Sequence, residues 1–197
     1  MGRTATLTPI SSGIGSLHDE EELSILMGQY QGGDREAAAA LVHRLSPRLY
    51  RYLATPHTQA ADVDDLLQDC WMRIHRSRHT YRAEDPLLPW VFAIARHTKL
   101  DAYRRRRFRR TKEQLVSTVP EPPPPAGTSP ERRYPELLTL LEKLPASQRD
   151  VLLMLKVSGM NVEEVARATS STAGAIKQRA HRAYVKLREL IEKERQR

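Results

Sequence analysis

The chain has one cysteine, Cys70, and two phenylalanines among its 197 residues. A lone thiol rules out an internal disulfide and any multi-cysteine zinc cluster, as expected of a chain kept in a reducing cytoplasm. Long hydrophobic runs are missing too. The longest, Leu87 to Ala95 (LLPWVFAIA), covers about half of the roughly 20 residues a membrane-spanning helix needs and contains Pro89. No direct membrane insertion is expected. The opening MGRTATLTPISSGIGSLH lacks the continuous apolar core of a signal peptide and reads as a disordered lead-in over residues 1–18. Gly2 with Thr6 fits the bare myristoylation pattern, a match short enough to arise by chance. No segment alternates apolar and polar residues between turn signals, so no strand is predicted. The expected fold class is all-α.

What the chain does have is positive charge, unevenly spread. Lysine and arginine outnumber aspartate and glutamate by 32 to 24, giving a net charge of +8 and a pI near 9.9. Such a balance points to a polyanionic partner, with nucleic acid ahead of anionic membrane. Residues 103–110, YRRRRFRR, hold six arginines, whereas residues 61–72 hold no base and four aspartates.

Residues 113–133, EQLVSTVPEPPPPAGTSPERR, carry six of the thirteen prolines and little that could form a core. They read as a linker between two small domains, 19–112 and 134–197. In polyproline form the linker could reach roughly 65 Å, nearly two turns of DNA. Helical periodicity predicts helices near 20–31, 34–46, 59–79 and 87–107 before it, and 135–143, 146–157, 161–168 and 172–194 after it.

On a helix, DVDDLLQDCWMRI (62–74) puts Val63, Leu67, Cys70, Trp71 and Ile74 on one face, with Asp62, Asp65, Asp69 and Arg73 opposite, beside Leu66 and Met72. Asp62 and Asp69 would lie about 10 Å apart along the axis. That is too far for one metal pair, whose ions sit about 4 Å apart, so no metal site is assigned here. Like charges on a merely solvated face would repel, and Leu66 and Met72 would be exposed among them. A docking face for a basic partner suits the pattern better. His75 and His79 share the i, i+4 spacing of some metal sites, but no glutamate follows His75 as in the zinc-protease motif, and they read as solvent-exposed.

The run from Pro86 is an apolar helix whose carboxyl end becomes cationic. Arginine binds phosphate through planar bidentate hydrogen bonds, and Tyr103 and Phe108 offer rings either for stacking unpaired bases or for packing. After the linker, Asn161 with Glu164 makes a capping-box start, TSST breaks the pattern, and Thr172 can cap a long last helix. Ile176, Ala180, Ala183 and Leu187 line its inner face, with Lys177, Gln178, His181 and Arg182 outside. A short helix, a polar turn and a basic helix form the pattern of a helix-turn-helix that reads the DNA major groove.

DVDDLLQDCWMRIHR, then WVFAIARHTKLDAYRRRR, a linker, and LPASQRDVLLM with NVEEVARATSSTAGAIKQRAHRAYVKLRE resembles the bacterial extracytoplasmic-function sigma factors, which keep sigma domains two and four. The likeness covers roughly residues 20–112 and 134–190. It implies that Asp62, Asp65, Leu66, Gln68, Asp69, Trp71 and Met72 dock on the β-prime clamp of core RNA polymerase, with the β flap as a further contact. The same resemblance gives minus-ten DNA to Trp90, Arg96, His97, Lys99, Tyr103, Arg104, Arg105, Arg106 and Arg107. It gives minus-thirty-five DNA to Thr172, Gly174, Lys177, Gln178, Arg179, His181 and Arg182. On this reading the acids stand apart from the arginines that face DNA.

The resemblance further implies a cytoplasmic, non-enzymatic promoter-specificity subunit with no cofactor and no small-molecule substrate, held in check by an anti-sigma factor, often membrane-bound in the family. Two departures bear on base preference: His97 stands where many relatives have asparagine, and Ser170 holds a turn position often occupied by glycine. Two other classes compete. A polymerase-independent repressor or activator would bind a palindromic site by itself. A nuclease or recombinase would need converging carboxylates or an activated serine, and neither is evident.

Overall fold

The structure is a computed structural model and describes residues 14–54, 60–114 and 135–195. Among the described residues it is helical with no strand. The amino-terminal domain contains α1 (Ile14–Gln31), α2 (Arg35–Leu53), α3 (Ala60–Ser77) and α4 (Leu87–Gln114), with a 3-10 turn at Arg78–Thr80. The carboxyl-terminal domain contains α5 (Pro135–Glu142), α6 (Ala146–Leu152), α7 (Val162–Ala168) and α8 (Ala173–Arg195). Most of the linker reading and most of the lead-in reading lie outside the described residues.

Local chemistry explains most boundaries. Gly33, at φ 96°, ends α1 in a backbone conformation open to glycine, and Asp34 then caps α2 by accepting from the Glu36 and Ala37 amides. Glu20 caps α4 from a distance, since its Oε1 accepts the Leu88 amide at 3.0 Å. α1 begins at Ile14, inside the segment expected to be disordered. α4 continues to Gln114, past the expected end at 107.

The largest departure is α2, which runs on to Leu53 through Pro47 rather than stopping at 46. A proline inside a helix costs about 3 kcal/mol. Leu49, Tyr52 and Leu53, however, continue the inner row begun by Leu41 and Leu45, and all five are buried to 2% exposure or less. Burying three such side chains at roughly 1.5–3 kcal/mol each outweighs the proline, which sits exposed on the outer side.

The inner face predicted for α3 is buried at Val63, Cys70 and Ile74 and half-buried at Leu67 and Trp71. Phe92 meets Tyr52 edge-on at 5.4 Å, joining α4 to α2. In the second domain, the capping box of Asn161 and Glu164 forms in full. Ser170 takes up φ 49° in the turn, the left-handed conformation that glycine adopts more easily. The helix expected over 146–157 changes character halfway, with α6 widening into a π turn at Leu153–Val157.

The two domains pack together. α7 lies along α4 and the π turn lies against α2, and one hydrophobic cluster runs through both domains. Lys99 is the polar pin of this contact. Its Nζ donates to the Tyr52 carbonyl at 3.2 Å and to Asp150 Oδ1 at 3.3 Å, and it sits 4.6 Å from the Tyr52 ring centroid.

Candidate docking and nucleic-acid interface

The α3 residues expected to dock a partner divide by environment. Asp65, Gln68 and Met72 are exposed, and Leu66 is half-buried. Trp71 turns toward α2, where its indole nitrogen donates to Ser46 Oγ at 3.0 Å, so its first role is to join α3 to α2.

The expected separation of acids from arginines does not hold. Arg106 reaches Asp62 Oδ2 at 2.6 Å and Arg105 lies 3.6 Å from Asp69 Oδ2. Arg73 grips Asp69 at 3.3 Å and Asp101 at 2.7 Å, and Arg104 approaches Asp101 at 3.8 Å. The hydrogen bond from Arg73 holds Asp101 below the usual carboxylate range. The result is a seam of alternating charge along the α3–α4 groove, whose walls include Asp62, Asp65, Leu66, Asp69, Ala102, Arg105 and Arg106. The sequence carried part of this signal in the spacings Asp69–Arg73 and Asp101–Arg104. The pairs between helices leave no such trace, because they depend on how α3 and α4 cross.

Along α4, Tyr103 and Phe108 are 66% and 75% exposed, which settles the choice between packing and an open surface in favour of the open surface. Arg104, Arg105 and Arg106 are exposed, while the Arg107 side chain lies outside the description. His97 is exposed, and its Nδ1 donates to the Ala93 carbonyl at 2.8 Å, leaving Nε2 outward as an acceptor. Trp90 is half-buried, with its indole nitrogen 3.3 Å from Thr80 Oγ1 and its ring against Tyr81. Arg96 is half-buried. Lys99 is mostly withdrawn from solvent: burial between the domains lowers its pKa, against the opposing pull of Asp150. Asp150 and Tyr52, which hold it, were not singled out from the sequence.

On α8 the outward set is intact. Gly174, Lys177, Gln178, His181 and Arg182 are exposed and Ile176 is fully buried. Thr172 caps the helix by accepting the Ala175 amide at 3.2 Å. Arg179 is half-buried and donates to Ser171 Oγ at 3.0 Å, bracing the turn.

No group of three or more metal-ligating side chains converges among the described residues, and none of the described helices is long and apolar enough to cross a membrane. Cys70 is buried, and burial pushes its thiol up to about 12, with Thr98 opposing. Above about pH 9 an unfolded chain gives up a thiol proton that the native state retains, so the stability from this group drains away between 9 and 12. Tyr52 and Tyr81, also raised by burial, act in the same direction, while the lowered Lys99 acts in the opposite one. Urea midpoints should fall between about pH 8 and pH 10, and fall less in Cys70→Ala than in the parent. Equal falls would place the thiol outside the linkage.

Residues 41–109 match the family model Sigma-70 region 2, and residues 134–187 match Sigma-70, region 4. The chain is 31% identical to the RNA polymerase sigma factor CarQ of Myxococcus xanthus, over 84% of this chain and 95% of that one. It is 30% identical to the ECF RNA polymerase sigma factor SigD of Mycobacterium tuberculosis, over 87% of this chain and 84% of that one. Among solved structures, the sigma factor RpoE in complex with the anti-sigma factor NepR from Bartonella quintana shares the fold, with a TM-score of 0.61 and 23% identity, over 81% of this chain and 98% of that one.

Proposed function

Because the chain belongs to the ECF RNA polymerase sigma factors of the sigma-70 family, we propose that it directs core RNA polymerase to a set of promoters, with the work divided between its two helical domains. The observation that carries this reading is the pairing, in one chain, of an exposed acidic and apolar α3 surface with two further helices, α4 and α8, that expose basic side chains.

Asp65, Gln68, Leu66 and Met72 would dock on the polymerase clamp. Lys177, Gln178, His181 and Arg182 would enter the major groove at minus thirty-five. Gly174 leaves the amino end of α8 without a side chain, so a phosphate can approach the free backbone donors there. On α4, His97 offers an outward acceptor to a flipped base of the minus-ten element, and Tyr103, Phe108 and the exposed arginines would hold the unpaired strand by stacking and charge. Opening the DNA is driven by binding energy, so the protein catalyses no covalent step. It would work in the cytoplasm, where its polymerase is. An anti-sigma factor, of the kind named in the Bartonella complex, is the expected brake.

Transcription in vitro tests the reading. Purified protein with bacterial core polymerase on a genomic-fragment library should give discrete starts that share two upstream motifs. DNA binding without any protein-dependent transcript would favour the independent repressor or activator. Within the sigma reading, Asp65→Lys should weaken core binding about tenfold, equivalent to about 1.4 kcal/mol, and leave duplex binding by the carboxyl-terminal domain unchanged. Unchanged core affinity would move the docking face elsewhere.

A further inference from the structure

The groove between α3 and α4 sets acids of α3 against arginines of α4. Asp62 and Arg106 are each about half exposed, at 46% and 48%, and form an ion pair at 2.6 Å. Asp69 at 36% and Arg105 at 53% form a second, looser one at 3.6 Å. Asp69 is shared with Arg73, which also holds Asp101, so the seam is anchored at one end by the less exposed Arg73 side chain. A carboxylate in this position offers a guanidinium what a phosphate would offer it, namely a pair of negatively charged oxygens that can accept its hydrogen bonds.

Asp64 supplies the contrast. It is two residues along the same helix, exposed and equally charged, and it has no ion pair among the described residues. α3 therefore carries one kind of acid that faces outward and another that is spent on α4.

We propose that Asp62 and Asp69 act as built-in stand-ins for phosphate, occupying Arg106 and Arg105 in the free chain and lowering its affinity for single-stranded DNA until a partner engages α3. The inference rests on the proposed function, since the partner on α3 is core polymerase and the ligand of α4 is the melted strand. Engagement of the carboxylates by the clamp releases the arginines where the strand arrives. By linkage, a strand that takes the arginines leaves the carboxylates freer to dock. The two surfaces therefore reinforce each other across one groove, with no movement of the helices required.

The test uses the full chain and a short, labelled, mixed-sequence single-stranded DNA at low salt, where exposed pairs are least screened. Removing any α3 acid raises affinity slightly through net charge, and Asp64→Asn measures that background. Asp62→Asn should raise affinity roughly two- to fivefold beyond Asp64→Asn, the range of an exposed pair. In an Arg106→Gln background this extra gain should vanish, leaving Asp62→Asn and Asp64→Asn equal. With core polymerase bound, on a fork-shaped promoter, Asp62→Asn should again match Asp64→Asn, because the arginine is already released.

Each outcome has a distinct meaning. If Arg106→Gln weakens DNA binding but Asp62→Asn never exceeds Asp64→Asn, the stand-in role is overturned and the DNA role of α4 survives. An extra gain over Asp64→Asn that survives in the Arg106→Gln background would mean that Asp62 acts by a route other than Arg106, which also overturns it. If Arg106→Gln leaves DNA binding unchanged, both the inference and the assignment of Arg106 to DNA are lost. An advantage of Asp62→Asn that persists in the polymerase complex overturns the release step.

Discussion

Phe92→Ala should lose about 3–5 kcal/mol of stability, the usual cost of truncating a buried phenylalanine. The side chain has no exposed surface and meets Tyr52 edge-on at 5.4 Å, so the cavity opens where α4 crosses α2. Against a typical total of about 5–15 kcal/mol, this loss leaves a large unfolded fraction near physiological temperature. Thermal melts should show the midpoint falling by roughly 10 °C or more. Phe108→Ala makes the same chemical change at a residue that is 75% exposed, and its midpoint should not move. Similar losses in the two variants would contradict the placement of the core.

The second large effect concerns the contact between domains. Asp150→Ala leaves Lys99 without its carboxylate, seated against the Tyr52 ring, with the pair's side chains only 18% and 12% exposed. Stranding one member of a buried pair costs about 3–5 kcal/mol, and the residual exposure here brings the expectation to about 2–3 kcal/mol. Because the pair joins α4 to α6, the loss should appear as separation of the domains rather than as unfolding of either one. A larger hydrodynamic radius with unchanged helical content is the expected result. Lys99→Met combined with Asp150→Leu removes both charges together and should restore the compact form. A compact Asp150→Ala protein would mean that apolar packing of α7 on α4 holds the domains unaided.

The Lys99 contact also qualifies the assignment of α4 to DNA. Its seat against Asp150 means that a lysine reaching DNA from this position must first leave the carboxyl-terminal domain. Arg104 to Arg106, Tyr103 and His97 face no such condition.

How much of this could be read in the sequence follows from the range of each force. The α3 inner row, the Asn161 capping box, the Thr172 cap and the outward set on α8 arise within one or two helical turns, and each was legible. The end of α2 was misread because a local rule about Pro47 met a longer-range gain, the burial of Leu49, Tyr52 and Leu53. The Asp62–Arg106 and Lys99–Asp150 pairs join residues 44 and 51 positions apart. No periodicity reports such pairs, since they depend on how helices cross. Composition even pointed the wrong way, because acids and bases that are segregated along the chain turn out to be adjacent in space.

The burial of Cys70 has a practical side in spectroscopy. A native thiol with its pKa pushed up to about 12 stays silent toward alkylating dyes at neutral pH, so nothing need be mutated away before labelling. Cysteines introduced at two exposed positions, His43 on α2 and Lys156 on the π turn, would carry the only reactive sulfurs in the folded molecule. A donor and acceptor placed there would report, one molecule at a time, how often the two halves part and how long they stay apart.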